Sequence, residues 1–386
     1  MESGAKTGIK LIGHKYDLVL KHPFIVSYGA RTHQKTLVVE FKLGDHSGFG
    51  ESPEIFYYNV NREGWLQKLD QLNVQLQGYT FTTPEELWEH LRPELATDPF
   101  LQNAIDQAAH DWFGKSKGVP LYKLWGLSLD KVPNSSFTIG LDKIEVMVQK
   151  IKEEDWPCYK IKLNAHDALE MVTELRKHTK ATFRVDANCA WTVDQTIEYS
   201  KKFKELGVEF IEQPLAKDNF ADMARIMKES AIPIIADESC QEESDLEKCQ
   251  SCFHGVNIKL AKCGGLTPAL RMIKKAKAAG LKVMVGCMIE GTVGISALSQ
   301  LLPLLDYVDM DGAALIKPES DDAETGVKLT PQGVIFPPNV NGTGAIARLI
   351  SSEEHATQAQ PEKIAHQGEL HTGFKMLKEK EIRTKH

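Results

Sequence analysis

Three acidic residues recur at nearly equal intervals, and each ends an apolar run typical of a buried strand. They are Asp186, Glu212 and Asp237, separated by 26 and 25 residues. A strand–helix unit of a (β/α)₈ barrel takes about 25–30 residues, and barrel active sites lie at the carboxyl ends of the strands. The spacing therefore predicts three carboxylates that converge at a barrel mouth. A hard divalent cation would offset their mutual repulsion, which indicates a metal-dependent enzyme.

Two lysines precede the first acid by one such unit. In Lys160-Ile-Lys162, positions i and i+2 of a strand share a face, and Lys162 lies 24 residues before Asp186. Both cations should therefore lie beside the carboxylates. Neighbouring cations lower each other's pKa, and a lysine tuned in this way can act as a general base.

A third lysine follows the last acid. Lys259 is 22 residues after Asp237, so in a barrel whose strands run in order it faces Lys162 across the carboxylates. Two such bases suit the removal of a proton from a carbon and its return to the opposite face. Taken singly, a strand-end lysine is usually solvated and a strand-end acid often caps a helix. Charged residues at the ends of five successive predicted strands, in register with a barrel, are much harder to explain in that way.

Asp309 and Asp311 form a further acidic pair after an apolar run, where the eighth strand is expected. Being two residues apart on a strand, they share a face and would form an anionic pocket suited to an ammonium group. The alternative is a polar strand end that pairs with a nearby cation.

Eight strands are needed to position these residues, and the sequence contains eight candidates. From Phe137 onward, short apolar runs alternate with amphipathic charged stretches, which is typical of repeated strand–helix units. Residues 8–60 instead alternate polar and apolar residues, as in an antiparallel sheet, and residues 85–125 have helical patterns. The candidate barrel strands are 136–140, 158–163, 182–186, 209–212, 234–237, 255–260, 282–286 and 307–309.

We therefore predict an α/β fold, a modified TIM (β/α) barrel with an α+β capping domain formed by the N-terminal third and a C-terminal segment. The capping domain is expected over residues 1–130 and the catalytic barrel over 131–325. Residues 326–386 are expected to return to the capping domain and end in a charged tail.

In its motifs the chain resembles the enolase superfamily, and within it the muconate-lactonizing-enzyme subgroup, over residues 8–345. The histidine that the mandelate racemase branch carries at its seventh strand is absent from residues 285–291. The matching motifs, in family order, are Lys160-Ile-Lys162, Asp186-Ala-Asn188, Glu212-Gln-Pro214, Asp237-Glu-Ser239 and Lys259 followed by Lys262-Cys-Gly-Gly265.

The resemblance implies one Mg²⁺ per subunit, held by Asp186, Glu212 and Asp237. In that family the metal binds the substrate carboxylate and stabilises the enediolate formed when the α-proton leaves.

The resemblance also implies roles for the neighbouring residues. Lys162 and Lys259 would be the two acid/bases, while Lys160 would tune Lys162 and help to neutralise the substrate carboxylate. Asn188 and Glu238 would orient the lysines and the metal ligands.

Within the subgroup, the acid pair resembles that of the dipeptide epimerases, where it binds the α-ammonium of the N-terminal residue. The resemblance implies epimerisation of the C-terminal residue of an L-Ala-Xaa-type dipeptide. In the type that acts on L-Ala-D/L-Glu, an arginine of the capping domain pairs with the glutamate side chain. Here Gly29 stands at that position, Arg31 follows two residues later as a replacement contact, and Tyr28 would offer an apolar one. Glutamate and a small or hydrophobic residue both remain open.

Two other functions remain open from the sequence. A muconate cycloisomerase or o-succinylbenzoate synthase-like lyase would use the same metal site on a carboxylate without an amine, which the acid pair would repel. A non-catalytic barrel kept for binding is the other alternative, although every catalytic position is filled by a competent residue.

Charge and composition exclude several classes of partner. The net charge of −7 predicts no nucleic-acid or anionic-membrane partner. Residues 1–8 lack the apolar core of a signal peptide, no run of 18 apolar residues occurs, and seven cysteines form no regular framework, so we expect a cytoplasmic protein. Barrels of this family often assemble, but the sequence does not fix the oligomeric state, and a homo-oligomer remains open.

Overall fold

A computed structural model of the chain describes residues 8–26, 29–338 and 340–349. Tyr28 and the charged tail beyond 349 lie outside these ranges, and the side chains at 24–26, 29, 30 and 57 are likewise not described.

The N-terminal third consists of an antiparallel sheet followed by helices, as predicted. Thr83 caps the second helix, because its hydroxyl accepts a hydrogen bond from Glu86 N at 3.2 Å and Pro84 occupies the first turn, where a missing N–H is tolerated. The strands are β1 Lys10–Val26, β2 Gly29–Leu43 and β3 His46–Pro53, and the helices are α1 Arg62–Gln75, α2 Pro84–Leu95, α3 Pro99–Lys117 and α4 Leu121–Leu124.

The sheet packs on α3 through glycines of β3. A Cβ atom at Gly48 would lie 2.1 Å from Ala108 O, and one at Gly50 would lie 2.2 Å from Ala104 O. Only glycine permits this approach between strand and helix backbone. The capping elements thereby bury one apolar core of their own.

The second part is an eight-stranded parallel sheet whose strands follow chain order. Ser136 N donates to Val308 O at 3.3 Å, so the first and eighth strands also meet. All eight predicted strands are confirmed, with ends that differ by at most two residues. They are β4 Phe137–Ile139, β5 Cys158–Lys162, β6 Thr182–Asp186, β7 Val208–Glu212, β8 Ile234–Ala236, β9 Gly255–Ile258, β10 Lys282–Gly286 and β11 Tyr307–Asp309.

Helices lie between the barrel strands, as a (β/α) barrel requires. Buried side chains of strands and helices form the larger apolar core. The fold is therefore the predicted modified barrel with an α+β cap. The helices are α5 Ile144–Glu153, α6 Ala168–Arg176, α7 Val193–Glu205, α8 Phe220–Glu229, α9 Leu246–Gln250, α10 Leu260–Cys263, α11 Leu266–Ala278 and α12 Thr292–Ser299.

The segment after the barrel contacts the cap. Thr343 N donates to Asp111 Oδ1 at 2.8 Å, and Lys115 Nζ donates to Ala345 O at 2.9 Å, so α3 holds this segment. The domain boundaries at 130/131 and 325/326 stay predictions. No helix in the described part of the chain combines the length and apolarity needed to cross a membrane. Four short strands belong to this segment, β12 Ala323–Thr325, β13 Lys328–Thr330, β14 Gly333–Ile335 and β15 Ile346–Ala347.

Candidate active site at the mouth of the barrel

Three buried carboxylates meet at the carboxyl ends of adjacent strands. Asp186 ends β6, Glu212 ends β7, and Asp237 directly follows β8. One oxygen of each lies within 4.8 Å of the others. We call these three residues the mouth acids. They lie close together, as their spacing in the sequence predicted.

Strand register explains why the first of them meets a lysine. In the parallel pairing, Lys162 of β5 is level with Asp186, and Asp186 is level with Glu212. Side chains at one level of a sheet point the same way, so Lys162 Nζ reaches Asp186 Oδ2 at 2.6 Å.

Lys160 lies deeper and contacts three acids. Its Nζ lies 3.2 Å from Asp186 Oδ2, 2.9 Å from Glu212 Oε2 and 2.9 Å from Asp309 Oδ2. Burial lowers the pKa of Lys160, but Asp309, Glu212 and Asp186 raise it well above its ordinary value.

Two lysines hold the third acid from the other side. Lys259 Nζ lies 3.1 Å from Asp237 Oδ2, and Lys262 Nζ donates to Asp237 Oδ1 and, at 3.0 Å, to Asp237 O. Burial raises the pKa of Asp237, but Lys259 and Lys262 lower it well below its usual value. We call Lys160, Lys162, Lys259 and Lys262 the mouth lysines.

The lowered pKa expected for adjacent lysines is wrong for Lys160, whose pKa is raised. The pKa of Lys259 is also raised. For Lys259, burial lowers the pKa, but Asp237, Glu212 and Glu238 together raise it, so the net shift is upward. The reason is that carboxylates crowd each ammonium more closely than another lysine does.

The two predicted supporting residues lie beside the mouth acids. Asn188 N donates to Asp186 Oδ1 at 2.9 Å, and Asn188 Nδ2 donates to Glu238 Oε1 at 3.4 Å. Asn188 thus links Asp186 to Glu238. That Asn188 and Glu238 orient the lysines and the metal ligands stays a prediction.

Sequence reasoning assigned no role to three residues that contact the mouth acids. Lys262 belonged to a matching motif, and Asn257 shares a strand face with Lys259, so position alone offered a signal for both. Asn257 Nδ2 donates to Glu212 Oε1 at 2.9 Å. Gln213, which belongs to the matching motif Glu212-Gln-Pro214, accepts through Oε1 from Asp237 N at 2.9 Å.

The Asp309/Asp311 pair lies against β4. Ser136 Oγ donates to Asp309 Oδ1 at 3.1 Å, and Thr138 N donates to Asp311 Oδ2 at 2.6 Å. Burial and the neighbouring Asp309 raise the pKa of Asp311 to about 7, whereas Lys160 lowers the pKa of Asp309 against the effect of burial. The pair therefore carries more negative charge than Lys160 alone neutralises.

Arg31 and Tyr28 are the two residues predicted to contact the substrate side chain. Arg31 Nη1 donates to Gln34 Oε1 at 2.6 Å, within β2, and its role toward a glutamate substrate stays a prediction. Tyr28 lies outside the described residues.

The mouth acids fit a hard divalent cation. Carboxylate oxygens are the ligands that Mg²⁺ prefers, and three of them point at a common centre. Glu212 Oε2 is buried and lies 2.9 Å from Lys160 Nζ, a single ammonium that Glu212 shares with Asp186 and Asp309. Burial and Asp186 raise the pKa of Glu212 to about 7, a cost that a cation would remove.

A barrel whose strand ends carry three acids between lysines defines a candidate metal-dependent enzyme, and comparisons with known proteins agree. The Enolase C-terminal domain-like family model matches residues 143–345. The chain is 49% identical to the L-Ala-D/L-amino acid epimerase of a Maribacter species, covering 86% of this chain and 97% of that protein. It is 32% identical to the hydrophobic dipeptide epimerase of a Flavobacteria bacterium, covering 87% and 98%.

A solved structure shares the fold as well. The dipeptide epimerase of Enterococcus faecalis, complexed with Mg and L-Leu-L-Tyr, superposes with a TM-score of 0.80 at 25% identity and covers 88% of this chain and 99% of that one. The chain therefore belongs to the enolase superfamily, in the group that contains the dipeptide epimerases.

Proposed function

We propose that the protein is a Mg²⁺-dependent dipeptide epimerase that inverts the α-carbon of the C-terminal residue of L-Ala-Xaa-type dipeptides. One observation carries the proposal: two lysines flank a single set of carboxylates. Lys162 pairs with Asp186 at one end of the set, and Lys259 pairs with Asp237 at the other. The names of the similar epimerases support the same reaction.

The mouth acids would hold the metal. When bound, Mg²⁺ supplies positive charge that attracts the substrate carboxylate and stabilises the negative charge that develops beside the α-carbon. Asn188 and Glu238 would keep Asp186 oriented. Lys160 would offset the negative charge of Glu212 and Asp309.

The two flanking lysines would move the proton. For one stereoisomer, neutral Lys162 takes the α-proton and the ammonium of Lys259 donates a proton to the opposite face. For the other stereoisomer the roles reverse. Lys259 is 9% exposed, so bulk water has little access to the second proton donor.

Asp309 and Asp311 would bind the α-ammonium of the first residue. An ammonium placed there would supply the positive charge that the pair lacks and favour the ionised form of Asp311. This charge distribution disfavours the cycloisomerase and lyase alternative, whose substrates carry no amine. Gly29 at the arginine position and the relatives' names support acceptance of residues other than glutamate.

Deuterium exchange tests the proposal. The protein is incubated with Mg²⁺ in D₂O and a library of L-Ala-L-Xaa dipeptides, and products are read by mass spectrometry. A gain of one mass unit on particular dipeptides is expected and names the accepted side chains. Absence of exchange on every dipeptide, with Mg²⁺ bound, would favour the cycloisomerase and lyase branch instead.

Three variants test the two-lysine mechanism. Lys162→Ala and Lys259→Ala should each lower epimerisation by about 10²–10⁴-fold, the usual contribution of a general acid or base. Each should still exchange the isomer whose α-proton the remaining lysine removes. Lys275→Ala is the matched control, because this exposed lysine pairs with Glu243 on the protein surface. Full turnover in both mouth variants would refute the mechanism.

Two further properties are proposed. All seven cysteines are unpaired thiols, which supports a reducing compartment such as the cytoplasm. A homo-oligomer is proposed from the family resemblance, and sedimentation equilibrium of the full chain would measure it.

A further inference from the structure

Glu212 has two oxygens in different surroundings. Oε1 accepts hydrogen bonds from Asn257 Nδ2 at 2.9 Å and from Lys160 Nζ at 3.1 Å. Oε2 is buried and lies 2.9 Å from Lys160 Nζ. Lys160 therefore contacts both oxygens of the carboxylate, whereas Asn257 holds Oε1 only.

Asn257 is placed for this contact by the barrel itself. It lies on β9, two residues before Lys259, and is fully buried. The neighbouring strand β10 leaves room for it at Gly286, where a Cβ atom would lie 2.7 Å from Asn257 Oδ1 and 2.8 Å from Asn257 Nδ2. Packing by Gly286 restricts the amide to a narrow range of positions.

The amide differs from the lysine that shares its oxygen. Lys160 Nζ lies between both oxygens of Glu212 and also contacts Asp186 and Asp309, so it does not distinguish Oε1 from Oε2. Asn257 Nδ2 makes its hydrogen bond to Oε1 alone. The neutral amide sets the rotation of the carboxylate without adding charge to the metal site.

We infer that Asn257 is a positioning residue that turns Glu212 so that Oε2 faces the bound cation. The inference rests on the proposed function, since it concerns the same metal site. Partners that orient metal ligands typically contribute about 10–100-fold to metal affinity.

Calorimetry with Mg²⁺ alone tests the inference without any substrate. Asn257→Leu keeps the side-chain size but removes the donor, and we expect the Kd for Mg²⁺ to rise about 10–100-fold. The matched control is Asn103→Leu, because Asn103 is an equally buried amide that donates to Glu51 O and Ser52 Oγ in the cap. This control should lose folding stability but keep the wild-type Kd.

A second variant guards against misfolding of the first. In Gly286→Ala, the added methyl group on the neighbouring strand β10 should displace the Asn257 amide. The Kd for Mg²⁺ should rise, as in Asn257→Leu. In both variants, excess Mg²⁺ should restore turnover in part, a rescue that Lys259→Ala should not show.

The outcomes separate this inference from the proposed function. Wild-type Mg²⁺ affinity in Asn257→Leu, or an equal loss in Asn103→Leu, would overturn the positioning role. The expected Kd changes without deuterium exchange on any dipeptide would uphold it while refuting the epimerase. A wild-type protein that binds no Mg²⁺ would overturn both.

Discussion

Two clusters of three buried acids lie in this molecule, and they are balanced in different ways. The mouth acids are contacted by the four mouth lysines. The second cluster lies where cap, barrel and C-terminal segment meet. Among residues 8–26, 29–338 and 340–349, no lysine, arginine or histidine forms an ion pair with it. We call its members the junction acids: Glu51, Glu290 and Asp322.

The junction acids gather at the start of α12. Glu51, on β3 of the cap, accepts from Gly291 N and from Gly294 N, each at 2.9 Å. Asp322, from the C-terminal segment, accepts from Val293 N at 3.2 Å. The free N–H groups of a helix start favour one carboxylate there, but three are more than one helix end neutralises.

Buried carboxyls that lack a paired cation favour the protonated form. Glu290 Oε2 and Asp322 Oδ2 are buried and accept no hydrogen bond, which suits protonated oxygens that donate instead. A Cβ atom at Gly294 would lie 2.5 Å from Glu290 Oε2 and 2.9 Å from Glu51 Oε2, so the two carboxyls approach the same point.

The pKa directions follow this difference. At the junction, burial and then Glu51 raise the pKa of Glu290 to about 8, and burial with Glu51 raises that of Asp322 well above its usual value. At the mouth, burial acts in the same direction, but Lys162 and Lys160 lower the pKa of Asp186 to about 2. Burial and neighbouring carboxylates thus favour the protonated form of an acid, and the lysines that contact Asp186 and Asp237 favour the ionised form of those two.

The largest contrast should come from removing one charge in each cluster. Asp237→Asn removes one of the proposed metal ligands and should lower epimerisation by about 10³-fold or more, since metal stabilisation amounts to several kcal/mol. Asp322→Asn changes an acid outside the proposed metal site, and should leave turnover close to the wild type. Steady-state rates at saturating Mg²⁺ measure both. Similar losses in the two variants would remove the distinction between the clusters.

A smaller effect is expected in the pH dependence of stability. Between its ordinary pKa of 4.5 and about 8, Glu290 keeps a proton in the native protein that the unfolded chain releases. The free energy of unfolding therefore falls as pH rises through this window, by up to about 1.4 kcal/mol per pH unit. Glu290→Gln cannot titrate, so its stability relative to the wild type should increase from pH 6 to 8.

Urea denaturation at several pH values measures this difference. The groups that face Glu290 are Glu51 from the cap and Lys259 from the barrel, while Asp321 lies beside Asp322 and Tyr16 of β1 lies near Glu51 and Asp322. Equal pH slopes in variant and wild type would show that Glu290 is ionised in the native protein.

The smallest effect concerns one neutral donor at the junction. Thr36 Oγ1 donates to Glu51 Oε1 at 2.8 Å. Thr36→Val keeps the shape but removes the hydroxyl, and should cost about 1–3 kcal/mol of unfolding free energy, because a buried acceptor loses a donor. Thermal unfolding measures the loss. An unchanged stability would mean that the Glu51 carboxyl is satisfied by the start of α12 alone.

Local patterns were sufficient for most of the mouth. The eight strands and the positions of Asp186, Glu212 and Asp237 all depend on short-range periodicity and on the regular length of a strand–helix unit. The same regularity placed Lys162 and Lys259 on opposite sides of the acids. Asn257 was within reach of this reasoning, because it shares the face of Lys259.

Other features depend on contacts between distant segments. Glu51, Glu290 and Asp322 come from three separate parts of the chain, and no spacing relates them. The upward pKa shift of Lys160 depends in part on Asp309, which comes from the eighth strand and reaches Lys160 because the first and eighth strands meet.

By itself the sequence determined the barrel and the positions of the mouth acids and the two flanking lysines, because strand periodicity and unit length are local properties that repeat along the chain. Only the tertiary structure decided which buried acids are paired with cations and which are not. Electrostatic balance in a dry interior depends on every charge within a few ångströms, and those charges are brought together by the closing of the barrel and the packing of the cap.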